Sequence, residues 1–294
     1  MFKDSELQHI DYKQRVLDYA DKQIEAAFLN MEAIKDSFDD EAVHDFRVAV
    51  KRMRVLMGFL SLFDENIKPD EKISNERRFF KLLSPIRDRQ VQQAKLNDTA
   101  KQLKIHIPAF NRYIEKRLEK AKTNFQQHKY DFLPGMDLTM VKYPLSHILS
   151  SEMILREAEN QFRIFLTKTM NDLPYFTEDD EKMHESRKEL KKVVYILEML
   201  DIQRLSIMNR AVTFKGFKKL QERLGDTHDC IVGRDMVRKF IRKKNKAGQK
   251  YLRLAEWLDR QRLLEIHGFK DEFYAIIPPG SNVTVELITE EEQE

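Results

Sequence analysis

Two stretches of the chain carry histidine, arginine and lysine at the same spacing. VHDFRVAVKRMR spans residues 43–54, and MHESRKELKKVV spans residues 183–194. In both, arginine follows the histidine after three positions and lysine after seven. This combination suits phosphate, because Arg offers a planar fork of N–H donors, Lys a mobile positive charge and His one or two further donors. The residues concerned are His44, Arg47 and Lys51 in the first stretch and His184, Arg187 and Lys191 in the second.

A second pair of similar segments follows the two basic stretches. LLSPIRDRQV at 82–91 aligns with RLGDTHDCIV at 223–232, so that Asp88 corresponds to Asp229. The offset is 140 positions for the basic stretches and 141 for these segments. Two linked matches at nearly one offset indicate a duplicated helical unit, with one basic helix face in each half. Asp88 and Asp229 would most simply be N-caps that restart a helix, and the alternative is that they orient a neighbouring Arg or His.

The basic residues lie beside an apolar stripe rather than opposite it. Val43, Phe46 and Val50 recur at steps of three and four, which is typical of the buried face of a helix. The cations follow one residue later, and one residue turns a helix by ~100°. Cations that serve only solubility normally lie opposite the core. We therefore expect both basic stripes, the first extended by Arg54, to face inward, where they would repel one another unless an anion neutralised them.

Further cations stand at corresponding positions ahead of the second pair of segments. Arg77 and Lys81 are four residues apart, which places them on one face of a predicted helix. Lys218 stands 141 positions after Arg77, at the offset of these segments. We expect these residues to add contacts to the same anion.

Composition restricts the class of protein. The chain has 294 residues, of which 34% are charged, only 8 are Gly and 8 are Pro, a profile typical of all-α proteins. With Cys230 as the single cysteine, no intrachain disulfide can form, and a reducing compartment is expected. No signal sequence and no apolar run of ~18 residues is present, so we expect a cytoplasmic protein without a membrane partner. The net charge is only +3, and affinity for a polyanion must come from where the cations lie.

The hydrophobic periodicity predicts eight helices in two halves. In the first half, about 7–130, the helices cover about 7–36, 41–63, 69–104 and 108–129, with a break at Pro85. A linker with Leu133-Pro134-Gly135 and Tyr143-Pro144 separates the halves. In the second half, about 144–268, the helices cover about 144–171, 178–201, 205–245 and 248–267, with a break near Gly225. We expect residues 271–294 to form an extended or disordered tail.

The two basic stretches and the two following signatures, which end IRD and LQERLGDTHD, resemble the CHAD family, the conserved histidine α-helical domain. The resemblance extends from the first helix to the helix around Trp257. It implies one domain over residues 1–270, built from two pseudo-twofold-related four-helix bundles around a central basic groove or pore that binds inorganic polyphosphate. It also implies phosphate contacts for His44, Arg47, Lys51, Arg54, Arg77, Lys81, His184, Arg187, Lys191, Lys192 and Lys218.

The second basic stretch departs from the family pattern. Val194 stands where the family often has a basic residue, and Glu185 and Glu189 add negative charge nearby. The resemblance therefore implies weaker binding in the second half than in the first.

A metal-dependent phosphohydrolase is one alternative. His44-Asp45 and His228-Asp229 are adjacent His-Asp pairs, and His184 would be a further ligand. Such sites need several carboxylates to balance the metal and activate water. The repeated neighbours here are Arg and Lys, which would repel a metal ion.

A nucleic-acid-binding protein is the second alternative. Single-strand binders interleave cations with aromatic rings on which bases stack. The basic stripes contain only Phe46, which lies on the apolar stripe, and Tyr195. We therefore expect non-catalytic binding of inorganic polyphosphate, without a cofactor, a metal or a specific nucleic-acid partner. An association with polyphosphate granules would follow from such binding.

Overall fold

The computed structural model describes residues 11–131, 150–244 and 248–288, and within them nine α-helices and a three-stranded sheet. The first five helices are α1 (Tyr12–Asp36), α2 (Asp40–Leu60), α3 (Pro69–Lys72), α4 (Ser74–Gln102) and α5 (Pro108–His128). The other four are α6 (Ser151–Asp172), α7 (Asp180–Leu200), α8 (Phe214–Lys244) and α9 (Gln249–Ile276). The strands are β1 (Arg204–Ile207), β2 (Arg210–Thr213) and β3 (Val285–Ile288). The prediction of an all-α fold is confirmed.

Apolar packing connects the helices of both predicted halves. One core cluster contains Phe59 of α2, Phe162 of α6, Leu197 of α7 and Phe269 of α9, all fully buried. A second cluster joins α1, α2, α4 and α5, and a third joins α4 and α5 to α8 and α9. The linker predicted between the halves lies outside the described residues. The division into two pseudo-twofold-related bundles stays a prediction.

The helix predicted to break at Pro85 continues through it, so that prediction is wrong. Proline removes the hydrogen bond to the carbonyl one turn earlier, and its ring crowds that carbonyl, but packing can outweigh both costs. Phe79, Leu83 and Ile86 on both sides of Pro85 are fully buried. Asp88 therefore lies within α4, and it is not an N-cap.

The break predicted near Gly225 is also absent, because α8 runs without interruption from Phe214 to Lys244. Leu224 and Cys230 are buried on its inner face and continue the packing past the glycine. Asp229 lies inside this helix, and the N-cap prediction is wrong for it as well.

The start of the helix predicted over 205–245 is instead a β-hairpin. In the antiparallel pair β1–β2, Arg204 faces Thr213 and Ile207 faces Arg210. Met208 and Asn209 form the two-residue turn with φ of 51° and 60°, the left-handed conformation that tight hairpins require. β3 pairs antiparallel with the other edge of β1 and completes the sheet in the order β2-β1-β3.

The last helix does not end at Gly268 but continues to Ile276. Phe269 and Phe273 are fully buried, so the core extends along this part of α9. Gly268 marks a close approach, because a Cβ atom there would lie 2.6 Å from Nη1 of Arg223. The prediction of an extended or disordered tail from residue 271 is therefore wrong for the end of α9, up to Ile276. β3 is extended, as one form of the prediction has it, and is paired in the sheet. Residues 289–294 lie outside the described residues.

Candidate functional site

A cavity of about 420 Å³ lies where α2, α4, α7 and α8 meet. It brings residues of both basic stretches to one place, as the inward-facing stripes predict. We call it the cation pocket. Its charged and histidine lining residues are His44, Arg47, Lys51, Arg87, Asp88, Arg187, His228 and Asp229.

The local sequence of α2 and α7 sets the direction of the basic stripes. Asp39 begins α2 by accepting hydrogen bonds from the N–H groups of Glu41 and Ala42, at 3.1 and 2.9 Å. Asp179 begins α7 in the same way. The stripe residues Val43, Phe46, Val50, Met183 and Leu190 are fully buried, so the basic and histidine residues one position later lie at the edge of the core. His44, Arg47, Lys51 and Arg187 line the cavity, whereas His184 and Lys191 do not.

Arg47 has a structural role as well as a place in the cation pocket. Its side chain donates to Ser84 Oγ at 2.6 Å and to the Phe80 carbonyl at 3.3 Å. The guanidinium carbon also lies 4.1 Å from the centre of the Phe80 ring, and Nη2 is 3.8 Å from Asp88. Arg47 therefore holds α2 against α4, and removing it would affect packing in addition to any ligand.

Two lysines, one from each basic stretch, are close enough to repel each other. Burial and then the neighbouring Lys191 lower the pKa of Lys51 to about 7. Burial and then Arg187 lower the pKa of Lys191 to about 8. Neither Lys51 nor Lys191 forms an ion pair within the described part of the chain. The nearby carboxylate of Asp229 pairs with Lys95 instead, at 3.5 Å. An anion between these helices would favour the charged form of both amines.

Burial and neighbouring cations lower the pKa values of His44 and His228, which line the cation pocket, and of His184 beside it, and this favours the neutral rings. Burial and then Arg187 lower the pKa of His228 to about 4, and the ring of His184 lies 5.1 Å from that of His228. Partial desolvation and then Arg87 lower the pKa of His44. Arg87 Nη2 lies 3.3 Å from His44 Nδ1 and can donate to it only if Nδ1 carries no proton. In that tautomer His44 keeps its proton on Nε2, which is then free to donate.

Several predicted contact residues lie away from the cation pocket. Lys192 donates to Gln161 of α6 at 2.8 Å, and Lys218 pairs with Glu198 at 3.3 Å. Arg77 pairs with Asp70 of α3. Arg54 and Lys81 are exposed and do not line the pocket.

The sequence did not single out Arg87, although a signal was available. Arg87 stands 141 positions before His228, so the duplication places the two at equivalent positions, and both line the cavity. Asp88 contacts Arg47, which agrees with the alternative that it orients a neighbouring cation.

The described side chains and helices were expected to hold no metal site and no membrane span. Within residues 11–131, 150–244 and 248–288, no group of three or more His, Cys, Asp or Glu side chains is placed to hold a metal ion. Within the same ranges no helix has the length and apolar character needed to cross a bilayer. The cation pocket instead has four lining Arg and Lys residues and two carboxylates.

A family model and several solved structures match this chain. The CHAD domain family model matches residues 18–238. The CHAD domain from the plant Ricinus communis is 16% identical with a TM-score of 0.65, and the match covers 92% of this chain and 93% of that one. PptA from Streptomyces chartreusis is 10% identical with a TM-score of 0.65, covering 91% and 99%. These TM-scores show a common fold. The comparison with curated proteins gave no match.

Replacing Lys51 by Met is expected to stabilise the ligand-free protein. The low pKa of Lys51 means that folding disfavours its charge, so the unfolded chain binds more protons between about pH 7 and the ordinary value of 10.5. Wild-type stability from this group therefore rises with pH across that window, and Lys51→Met removes the rise. We expect the melting temperature at pH 7 to increase by roughly 2–4 °C, with a smaller gain at pH 9. Thermal unfolding at both pH values measures this, with exposed Lys22→Met as the matched control; a lower melting temperature for Lys51→Met at pH 7 would contradict it.

Proposed function

The chain belongs to the CHAD domain family, and on that premise we propose that its cation pocket binds inorganic polyphosphate without hydrolysing it. The observation that carries the proposal is that Lys51 and Arg187, which line the cation pocket, lie close to Lys191 beside it without enough carboxylates to balance the three charges. Like charges in a partly buried place are unfavourable unless an anion neutralises them. The ligand-free pocket is therefore suited to an anion with several charges.

A phosphate polymer fits the lining of the cation pocket better than a nucleic acid does. The described lining residues include no Phe, Tyr or Trp on which a base could stack. Arg187 and Arg87 offer forked donors for phosphate oxygens, and His44 Nε2 adds a neutral donor. A polymer longer than the pocket would continue past its mouth, where Arg54 and Lys81 are exposed cations.

The proposed role is binding rather than catalysis, and association with polyphosphate granules would be one use of it. Four Arg and Lys residues line the pocket, and they neutralise phosphate but do not supply the carboxylate cluster that a two-metal phosphohydrolase needs. His44 and His228 are neutral and serve as hydrogen-bond donors in this scheme.

Removing one amine from each basic stretch should weaken polyphosphate binding. Lys51→Gln with Lys191→Gln eliminates two charge-assisted contacts, and we expect long-chain polyphosphate to bind on the order of a hundredfold more weakly. Wild-type affinity should fall steeply with salt, because each neutralised phosphate releases counterions. Calorimetry at fixed salt measures both effects. Lys22→Gln with Lys13→Gln, which removes the same formal charge elsewhere, should bind like wild type; equal losses in the two double variants would mean that only net charge matters.

Binding should also be accompanied by proton uptake. At pH 8 Lys51 is largely uncharged and Lys191 about half charged, since their pKa values are about 7 and about 8. Phosphate raises both values, so we expect uptake of about one proton per site. Calorimetry in two buffers with different ionisation enthalpies gives the number of protons. Lys51→Gln should reduce it, and an unchanged uptake in that variant would show that other groups take up the proton.

A phosphohydrolase would release phosphate from polyphosphate or nucleotides, whereas a binding protein would not. We expect no release of phosphate from polyphosphate or nucleotides with added Mg²⁺ or Mn²⁺, measured over hours with a colorimetric phosphate assay. Activity that co-purifies with the wild-type chain and disappears in both His44→Ala and His228→Ala would replace the binding proposal with a phosphohydrolase.

A further inference from the structure

A second and larger cavity, of about 1040 Å³, is lined by α4, α5, α8 and α9. It shares no described lining residue with the cation pocket. We call it the α5 cavity, because most of its lining comes from α5. Neither the duplication nor the family resemblance assigns it a function.

The inner wall of the α5 cavity is aromatic. Phe240 and Tyr251 lie at its base and are only 3% and 4% exposed. Tyr113 is half-buried, and the centre of its ring lies 5.2 Å from that of Phe240, which in turn lies 5.0 Å from that of Tyr251. Together the three rings form a continuous apolar surface that reaches from the core to the opening.

The opening of the α5 cavity is basic. Arg112, Lys116 and Lys120 recur every four residues along α5, so they form one row with a spacing of ~6 Å. All three are exposed, and none forms an ion pair with another described residue. Lys243 adds a further exposed cation, and no carboxylate stands among the described lining residues.

Two further arginines, Arg89 and Arg117, line the α5 cavity and are less exposed than the row of Arg112, Lys116 and Lys120. Burial and then the neighbouring Arg117 lower the pKa of Arg89. The guanidinium carbon of Arg117 lies 4.7 Å from the centre of the Tyr113 ring. A planar cation resting on a ring marks a position where a flat, electron-rich group can also stack.

We propose that the α5 cavity binds a nucleotide, with its base against Tyr113 and the aromatic wall and with two or more phosphates along the row of Arg112, Lys116 and Lys120. The aromatic wall suits the base of such a ligand, and the basic opening suits its phosphates. Inorganic polyphosphate has nothing to cover the aromatic wall, and an apolar molecule would leave the cations unneutralised. The volume also lies near the upper end of the ~300–1,000 Å³ typical of small-molecule sites.

The experiment measures fluorescence anisotropy of an ATP analogue labelled on the ribose, at fixed salt. Tyr113→Leu keeps apolar packing but removes the flat ring, and we expect about tenfold weaker binding. Lys116→Gln with Lys120→Gln should weaken binding by about tenfold or more, and since both lysines are exposed this variant should fold normally. Lys51→Gln with Lys191→Gln changes a residue that lines the cation pocket and a cation beside it. This double variant should leave nucleotide affinity unchanged, which separates this proposal from the proposed function.

Competition decides what the cavity recognises. Unlabelled ATP should displace the probe more effectively than tripolyphosphate does, because only ATP carries a base. Equal displacement by tripolyphosphate, or an unchanged affinity in Tyr113→Leu, would show that no base is recognised. Displacement by a short oligothymidylate at much lower concentration than ATP would assign the cavity to single-stranded nucleic acid. Loss of binding in the Lys51 and Lys191 variant alone would place the nucleotide in the cation pocket, and each of these results overturns the proposal.

Discussion

The positive charges of α2 and α7 repel each other, and the packing of the rest of the structure must offset this repulsion. Lys51 and Lys191 lie close together although the charge of Lys191 lowers the pKa of Lys51. The charge of Arg187 in turn lowers the pKa of Lys191. The neighbouring residues Val43, Phe46 and Leu190 are fully buried, and their apolar packing supplies the free energy that offsets the repulsion. Lys51 and Lys191 follow the buried residues Val50 and Leu190 directly, so the packing of these apolar residues holds both amines near each other.

Other charges on the same helices are compensated, and the contrast separates structural cations from available ones. Arg52 of α2 donates to Glu198 of α7 at 2.8 and 3.0 Å, and Lys218 of α8 pairs with the same carboxylate. These three charged residues connect α2, α7 and α8, which are three of the helices that line the cation pocket. Arg47 is intermediate, because it binds α4 through Ser84 and still lines the cavity. Within the described residues, Lys51 and Lys191 have no such carboxylate partner, so an anion is needed to neutralise them.

The sequence predicted those parts of the site that follow from local periodicity. The stripes, the apolar seams and most helix boundaries depend on residues three or four apart, and the duplication supplied the pairing of the two halves. Tertiary packing decided the rest: buried neighbours carry α4 through Pro85, and Phe269 extends α9 past Gly268. The turn at Met208 and Asn209 lacks the usual glycine, so no local signal marked the hairpin. The α5 cavity depends on side chains from helices distant in sequence, and their convergence is visible only in three dimensions.

Two helices serve both cavities. On α4, Arg87 and Asp88 line the cation pocket while Arg89, the next residue, lines the α5 cavity; on α8, His228 lines the first and Phe240 the second. A displacement of either helix would alter both sets of contacts at once. Thermodynamic linkage then requires reciprocity: whatever factor an occupant of one cavity applies to affinity at the other, the second occupant applies the same factor in return. An occupant of one cavity that displaced α4 or α8 would therefore change the affinity of the other cavity for its own ligand.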